Sequence, residues 1–190
     1  MNDWDVRSFD WSLTEDSVVV EIGGYKGRWA KEIARLYNPR LYVFEPQQWA
    51  YTICKNELLD ANAMVFNYAL ITGVNSFATL GDSGTDGASL LKVNHANKSF
   101  VEVKNVLEVF DALELNEIDL LLMNIEGYEF KLLPYMIQTG LLDRVKCFMV
   151  QFHLFALAST EYDGLLKKID LSHRLLWDYG VVLMAWERRQ

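Results

Sequence analysis

Two acidic residues flank a group of glycines near the start of the chain, in an arrangement that could bind a ligand. Glu21 lies in the apolar run SVVVEI, and Gly23, Gly24 and Gly27 follow it. Glu45 ends the next apolar run, LYVFE. Because glycine has no Cβ and tolerates positive φ, the turn after Glu21 can approach a ligand closely. The pattern predicts a binding site at the ends of two neighbouring strands.

The acid before the glycines indicates which ligand this turn would accept. Glu21 would repel a pyrophosphate, and the glycine spacing is not the G-x-G-x-x-G of a dinucleotide-binding turn. A cationic group, such as an ammonium or a sulfonium, would be attracted, and Glu45 could accept hydrogen bonds from both hydroxyls of an adenosine ribose. These features favour S-adenosylmethionine over a nicotinamide cofactor. The plainer alternative is a simple turn, with Glu45 a solvated charge at a strand end.

Strand-like and helix-like segments alternate along the chain and would bring these acids to one edge of a sheet. Continuous apolar runs, typical of strands buried on both faces, include SVVVEI, IDLLLMNIE and VKCFMVQFH. Amphipathic segments such as GRWAKEIARLY separate them. The alternation predicts an α/β fold, a doubly wound, Rossmann-like, mostly parallel seven-stranded sheet. The segment HRLLWDYGVVLMAWER predicts two closing strands, one of them antiparallel.

Composition and length narrow the class of protein. The 190 residues favour a single domain over 1–190, with an N-terminal extension at 1–14. The segment AMVFNYAL is the predicted third strand, and a variable loop region at 71–104 follows it. A net charge of −8 disfavours nucleic acid as a partner. No apolar run approaches the ~20 residues that cross a bilayer, so a cytoplasmic protein without a membrane partner is expected. The pattern does not predict an oligomeric state.

Five segments resemble the FkbM-type family of class I S-adenosylmethionine-dependent methyltransferases. VVVEIGGYKGRW is similar to its first motif, VFEP to its second and NYAL to the segment after its third strand. LLLMNIEGYEFKLL resembles its most specific signature, and VQFH resembles the strand that follows. The resemblance implies transfer of a methyl group, typically to a hydroxyl oxygen of a small molecule or saccharide. The cofactor it implies is S-adenosylmethionine, and the residues that match cofactor positions are Glu21, Gly23, Gly24, Tyr25, Gly27, Glu45, Pro46, Asn67, Ala69 and Asn124.

Three residues, one of them again Asn124, are predicted to act on the acceptor. A hydroxyl acceptor needs a base, and His153, at the end of the VQFH strand, is the candidate; Glu126 and Asn124 would lie beside the acceptor. Alternatively, His153 only forms a hydrogen bond to nearby backbone. Glu126 and Glu129 would then only stabilise the N-terminus of the following helix through its dipole. His95 and His173 are expected at the surface, and Trp29 and Trp49 are the tryptophans that could reach an adenine.

The chain departs from the family pattern at three ionisable positions. Leu122 stands where a lysine is common, Asn124 where an aspartate is usual, and Gln151 where an acid precedes the histidine. With these positions neutral, the residues do not favour a metal site, and none is predicted. The same departures leave open a binding module of the same fold with weak or no catalysis.

Overall fold

A computed structural model describes residues 11–82, 88–91, 97–153, 159–180 and 183–189. Within these ranges the chain forms ten strands, five α-helices and a short 3-10 helix, Leu142–Arg144. The strands are β1 (Val18–Ile22), β2 (Arg40–Phe44), β3 (Ala63–Phe66), β4 (Ala69–Ile71), β5 (Ser76–Asp82), β6 (Asn97–Asn105), β7 (Ile118–Met123), β8 (Val145–Gln151), β9 (His173–Tyr179) and β10 (Leu183–Arg188). The helices are α1 (Arg28–Tyr37), α2 (Gln48–Glu57), α3 (Val106–Ala112), α4 (Glu129–Gln138) and α5 (Ser159–Ile169).

Seven of the described strands form the main sheet, in the order β3-β2-β1-β7-β8-β10-β9. The pairs from β3 to β8 are parallel, whereas β10 runs antiparallel to both β8 and β9. The predicted doubly wound, mostly parallel seven-stranded sheet with an antiparallel strand near the C-terminus is therefore confirmed. The order reverses between β1 and β7, which is where doubly wound sheets bind their ligands.

The region 71–104 differs from its prediction. A loop with short β pieces was expected, but β5 and β6 are seven and nine residues long and pair antiparallel, from Ser76 with Val103 to Asp82 with Asn97. The predicted third strand, AMVFNYAL, is also divided: β3 stays in the main sheet, and β4 joins β6 in a separate three-stranded sheet. Continuous apolar sequence looks the same whether it stays in one sheet or crosses to another, so the pattern could not locate this break.

Two hydrophobic clusters cover the faces of the main sheet. The larger one packs α3, α4 and α5 on one face around Phe110, Leu121, Leu132 and Phe148. The other packs α1 and α2 on the opposite face, with Trp29, Ile33 and Leu120. Because both faces of the central strands are buried, their ends are held rigidly at the carboxyl edge. No helix in the described ranges is long and apolar enough to cross a membrane.

Candidate active site

A cavity of about 840 Å³ opens at the carboxyl edge of the main sheet, at the point where the strand order reverses. The glycine turn after β1 and the segments after β2 and β7 form one side, and the β9–β10 hairpin and parts of the region 80–90 form the other. Predicted site residues that line it are Glu21, Gly23, Gly24, Tyr25, Glu45, Pro46, Ala69, Asn124 and Glu126.

The glycine turn is fixed against both neighbouring strand ends. The N–H groups of Gly23 and Gly24 donate to the carbonyl of Phe44, at 2.9 and 3.1 Å. Gly23 has φ +91°, and a Cβ added to it would lie 2.0 Å from the carbonyl oxygen of Asn124. Only glycine fits both the left-handed conformation and this close approach. The turn therefore joins the ends of β1, β2 and β7 into one rigid rim.

Glu45 is buried at the end of β2 and is held by backbone donors. Its carboxylate accepts hydrogen bonds of 2.7 Å from the N–H of Tyr25 and from the N–H of Gln47. Burial raises the pKa of Glu45 to about 7, although the two backbone hydrogen bonds act in the opposite direction. A carboxylate that exchanges its proton near neutral pH thus lines the cavity.

Glu21 lies at the equivalent place on β1 and is also buried, with 3% of its surface exposed. It pairs in register with Val43 on one side and Leu122 on the other. Residues paired across adjacent strands project to the same face, so the Glu21 side chain lies in the row that faces α1. A second carboxylate is thereby placed in the wall of the cavity.

The segment after β7 forms the opposite rim with unusual backbone geometry. The N–H of Asn124 donates to the carbonyl of Ile22 at 2.9 Å, which ties this segment to β1. Glu126 has φ +54° and Gly127 has φ +101°. A glutamate in the left-handed region is uncommon and is held by its surroundings. Here the buried Ser89 supports it, because its hydroxyl donates to the Glu126 carbonyl at 2.7 Å.

His153 is clasped between two carboxylates. Its Nε2 lies 2.9 Å from Glu126 Oε1, and its Nδ1 lies 2.9 Å from Oε1 of the fully buried Glu129. The Glu129 carboxylate also accepts from the N–H groups of His153 and Gly127. Burial alone would lower the pKa of His153, but the hydrogen bonds and charges of Glu126 and Glu129 outweigh it and raise the pKa to about 9. His153 is therefore protonated at neutral pH in this arrangement.

Comparison with known proteins gives the family. Residues 21–175 match the methyltransferase FkbM domain, which is well over half of the sequence. The chain belongs to the FkbM methyltransferase family. Membership confirms the methyltransferase prediction and its cofactor, S-adenosylmethionine. No curated protein matches the sequence.

Solved structures share the fold of this FkbM methyltransferase at low sequence identity. The methyltransferase FkbM from Methylobacillus flagellatus has a TM-score of 0.61 at 11% identity, over 92% of this chain but 44% of that one. An rRNA methylase from Streptococcus thermophilus has a TM-score of 0.58 at 15% identity, over 98% and 95%. A methyltransferase from Streptococcus mutans in complex with S-adenosylhomocysteine has a TM-score of 0.59 at 11% identity, over 98% and 97%. At these identities the likeness describes the fold.

The donor set of the cavity fits S-adenosylmethionine. Among the described residues, three buried polar atoms of the cavity wall make no hydrogen bond: Trp29 Nε1, Gln47 Nε2 and Asn124 Oδ1. Two donors and one acceptor of this kind complement a ligand that carries a carboxylate, a nitrogen heterocycle and an ammonium group. Buried polar atoms without partners cost free energy, and such a ligand would remove that cost.

Not every predicted site residue faces the cavity. Gly27, Asn67 and His153 are absent from its described lining. Gly27 packs on Cys54 instead, and the Asn67 amide donates to the carbonyls of Glu45 and Pro46. These two residues support the cofactor rim from behind, and their predicted contact with the cofactor stays a prediction.

The predictions for the remaining histidines and tryptophans agree with the structure only in part. The surface prediction for His173 is wrong: it is fully buried, and its Nε2 lies 2.9 Å from the carbonyl oxygen of Val145. His95 lies outside the described residues. Trp29 lines the cavity, and Trp49 instead packs edge-on against Tyr25 at 5.4 Å.

The three positions that depart from the family pattern meet in the cavity wall. Leu122, Asn124 and Gln151 all line it. The described residues hold no cluster of three or more metal-ligating side chains that could bind an ion. The cavity wall is thus neutral where the family commonly carries ionised groups.

Several cavity residues escaped the sequence analysis. Gln47 follows the second motif directly and could have been found by its position after Glu45 and Pro46. Leu80 of β5 and Leu90, in the segment between β5 and β6, line the cavity, as does Tyr179 at the end of β9. Ser89 supports the site through its hydrogen bond to the Glu126 carbonyl. No local pattern marks these residues, because their approach depends on long-range packing.

Proposed function

We propose that this FkbM methyltransferase transfers the methyl group of S-adenosylmethionine to a hydroxyl oxygen of a small molecule. The observation that carries the proposal is the Glu126–His153–Glu129 arrangement at the cavity rim, with Nε2 and Nδ1 of His153 each 2.9 Å from a carboxylate oxygen. A hydroxyl acceptor must lose its proton as the new bond forms, so it needs a positioned proton acceptor. Glu126 lines the cavity and supplies one.

The cofactor would be held by the residues around the glycine turn. Glu45 would accept hydrogen bonds from the ribose hydroxyls, and Gln47 Nε2 would donate to the adenosine part. Glu21 and Asn124 Oδ1 would face the ammonium group of the methionine part. Each of these groups is buried or half-buried in the cavity wall, where electrostatic and hydrogen-bond contacts are stronger than in water.

The geometry favours Glu126 over His153 as the group that takes the proton. His153 was predicted as the base, but the raised pKa leaves its ring protonated at neutral pH, and it does not line the described cavity. Its Nε2–H instead orients one oxygen of the Glu126 carboxylate, and Glu129 fixes the ring from the other side. We therefore assign His153 as a positioning residue that acts through Glu126.

The chemical step is a displacement at carbon. S-adenosylmethionine supplies an electrophilic methyl group on a sulfonium. The acceptor oxygen uses a lone pair to form the new O–C bond, the electron pair of the broken S–C bond stays on sulfur, and the hydroxyl proton passes to Glu126. The remaining work of the protein is to align the acceptor, which rigid strand ends can do.

A small-molecule acceptor is supported by the net charge of the chain and by the carboxylates that line the cavity. The chain carries a net charge of −8, and three carboxylates, those of Glu21, Glu45 and Glu126, line the cavity. A phosphate backbone would be repelled by such a surface. The acceptor site we propose is therefore the cavity itself.

A second candidate is a binding module that retains the cofactor site but catalyses weakly or not at all. The observation in its favour is the neutral set Leu122, Asn124 and Gln151 in the cavity wall. This candidate predicts binding of S-adenosylmethionine without turnover. The two candidates therefore differ in one measurable quantity, the rate of S-adenosylhomocysteine formation.

Transfer is tested with S-adenosylmethionine that carries a 13C-labelled methyl group and a panel of hydroxylated metabolites. We expect the label to appear as an O-methyl resonance with one acceptor class, and Glu126→Gln to slow transfer about a hundredfold or more, as expected for loss of general-base assistance. Glu108→Gln, at an exposed position in α3, is the control. Cofactor binding without product from any acceptor would favour the binding module.

A further inference from the structure

One side of the cavity is built from a row of uncharged side chains that the proposed cofactor contacts do not use. Leu122 pairs in register with Met149, and Gln151 pairs with Leu183, which in turn pairs with Tyr179. All five line the cavity. Paired residues share a face, and so do residues two apart on one strand, so this row is continuous across β7, β8, β10 and β9. We call these five residues the apolar arm.

The apolar arm offers apolar contact with two polar groups, the Gln151 amide and the Tyr179 hydroxyl. Met149 is 2% exposed and Leu122 7%, and Leu183 is half-buried. The Gln151 amide lies within the row, and the Tyr179 ring lies at its outer end. Leu80 of β5 and Leu90, between β5 and β6, extend the apolar lining of the cavity. Transfer of a hydrocarbon or aromatic group from water to this surface would be favourable.

Glu21 is the charged residue next to the apolar arm, since it pairs in register with Leu122, and in the contacts proposed above its carboxylate faces the ammonium group of the cofactor. Of the described residues that line the cavity, two are basic, Lys26 and Arg28, and both follow the glycine turn on the β1 side. Lys26 Nζ lies 5.1 and 5.5 Å from the ring centroids of Tyr25 and Trp49. An anionic group on the arm would find no cation there, and burial of an unpaired charge is costly.

We propose that the acceptor is an uncharged alcohol or phenol with an apolar body, which lies on the apolar arm and places its hydroxyl beside Glu126. The inference rests on the methyl-transfer function proposed above and narrows its substrate. Polyhydroxylated saccharides and anionic acceptors are poor fits, because their hydroxyls or charges would be buried against Leu122, Met149 and Leu183 without partners. The chemistry recognised is an apolar frame that ends in one hydroxyl.

The test compares binding within sets of probes that share a frame and differ in charge. The first set is tyrosol, 4-hydroxyphenylacetate and tyramine, and the second is octan-1-ol, 8-hydroxyoctanoate and 8-aminooctan-1-ol. Dissociation constants are measured by ligand-observed NMR with S-adenosylhomocysteine present. We expect the neutral member of at least one set to bind about tenfold or more tightly than both charged members.

Two variants and a control connect this ranking to the arm. Leu183→Lys introduces a cation and should favour the anionic member over the neutral one, whereas Gln151→Glu preserves shape and should favour the cationic member. Leu171→Lys, at a position 83% exposed, should leave the ranking unchanged. Thermal melts of each variant establish that it is folded.

Failure of the inference can be told apart from failure of the proposed function. If S-adenosylhomocysteine binds in calorimetry but the charged probes bind as well as the neutral ones, the inference is overturned and the function stands. Absence of binding by every neutral probe at millimolar concentration overturns it as well. If S-adenosylhomocysteine itself does not bind, the proposed function fails, and the inference fails with it.

Discussion

The carbonyl oxygen of Asn124 occupies the space that a side chain at Gly23 would need. A Cβ added to Gly23 would lie 2.0 Å from that oxygen, and the Gly23 backbone has φ +91°. This close approach places the glycine turn after β1 against the segment after β7, so the first family motif and the most specific family signature are in direct contact. The cofactor rim and the proposed proton acceptor are therefore built on one rigid unit.

Gly23→Ala should destabilise the protein by about 3 kcal/mol or more, because the new methyl meets backbone that cannot rotate away and the φ is unfavourable for alanine. Urea unfolding measures the effect. Gly164→Ala is the matched control: it lies in α5, its Cβ would meet nothing within 4 Å, and it should raise stability by about 0.5–1 kcal/mol. Equal effects of the two substitutions would contradict the packing described for Gly23.

Cofactor affinity should fall as the pH drops through 7. Burial raises the pKa of Glu45 to about 7, and ribose hydroxyls bind the ionised carboxylate better than the protonated one. Between pH 8 and pH 6 the ionised fraction decreases roughly tenfold, and the affinity for S-adenosylhomocysteine should decrease by a similar factor. Calorimetry in buffers of different ionisation enthalpy should detect release of protons on binding near pH 6.5.

Glu45→Gln should bind the cofactor more weakly at pH 8 and lose most of this pH dependence, since the amide does not titrate. Glu57→Gln, at an exposed position in α2, serves as the control. An affinity in Glu45→Gln that still falls with the wild-type slope would assign the titration to another group.

Folding stability should fall between about pH 6.5 and pH 9 because of His153. The carboxylates of Glu126 and Glu129 raise the folded-state pKa of His153 to about 9, against burial. A raised histidine pKa stabilises the folded state below the unfolded pKa of about 6.5, and this stabilisation is lost as the pH rises through the folded pKa. The shift corresponds to about 3 kcal/mol as an order of magnitude.

Unfolding curves at pH 6 and pH 9.5 for the wild type and His153→Gln test this directly. We expect the wild type to lose stability over that interval and the variant to lose much less. NMR titration of the His153 ring provides an independent value. A ring that titrates near 6.5 would rule out the clasp by two carboxylates.

Ser89→Ala should loosen Glu126 without weakening cofactor binding. The Ser89 hydroxyl donates to the Glu126 carbonyl at 2.7 Å and accepts from the Leu91 N–H at 3.1 Å, and both partners would lose a half-buried hydrogen bond. We expect a loss of about 1–3 kcal/mol in stability. The NMR-measured pKa of His153 should also fall toward its ordinary value as Glu126 moves away.

Ser76→Ala, at an exposed position in β5, is the control for this substitution. If Ser89→Ala costs stability but leaves the His153 titration unchanged, Ser89 is a structural residue only. A change in S-adenosylhomocysteine affinity as large as that of Glu45→Gln would contradict a role confined to Glu126.

Sequence reasoning succeeded where a feature depends on local pattern. Apolar runs ended by acids fixed the central strands and the positions of Glu21 and Glu45, because a strand buried on both faces leaves a clear signal. The second sheet was missed because β5 and β6 carry many polar residues and lie in a segment rich in Gly, Ser, Asp and Asn that resembles a loop. Ser89 was missed because its contact with Glu126 joins residues that are 37 positions apart in the sequence.

The role proposed for His153 differs from the predicted one for another reason, its protonation state. Its place at the end of β8 was predicted, but its protonation depends on how Glu126 and Glu129 converge on it from another segment. A spacing in the sequence does not fix that distance, because Glu126 adopts a left-handed backbone conformation, with φ +54°, that is uncommon for a glutamate. The charge state of a site residue thus depends on tertiary contacts that a motif does not encode.

Titration of S-adenosylhomocysteine into the wild type and Glu45→Ala at pH 8, followed by calorimetry, tests the central claim most directly. We expect one saturable site per chain in the wild type and affinity at least about tenfold weaker in Glu45→Ala, since two ribose hydrogen bonds to a carboxylate are lost. A wild type that gives no binding heat at millimolar ligand, or a Glu45→Ala variant with unchanged affinity, would contradict the assignment of this cavity.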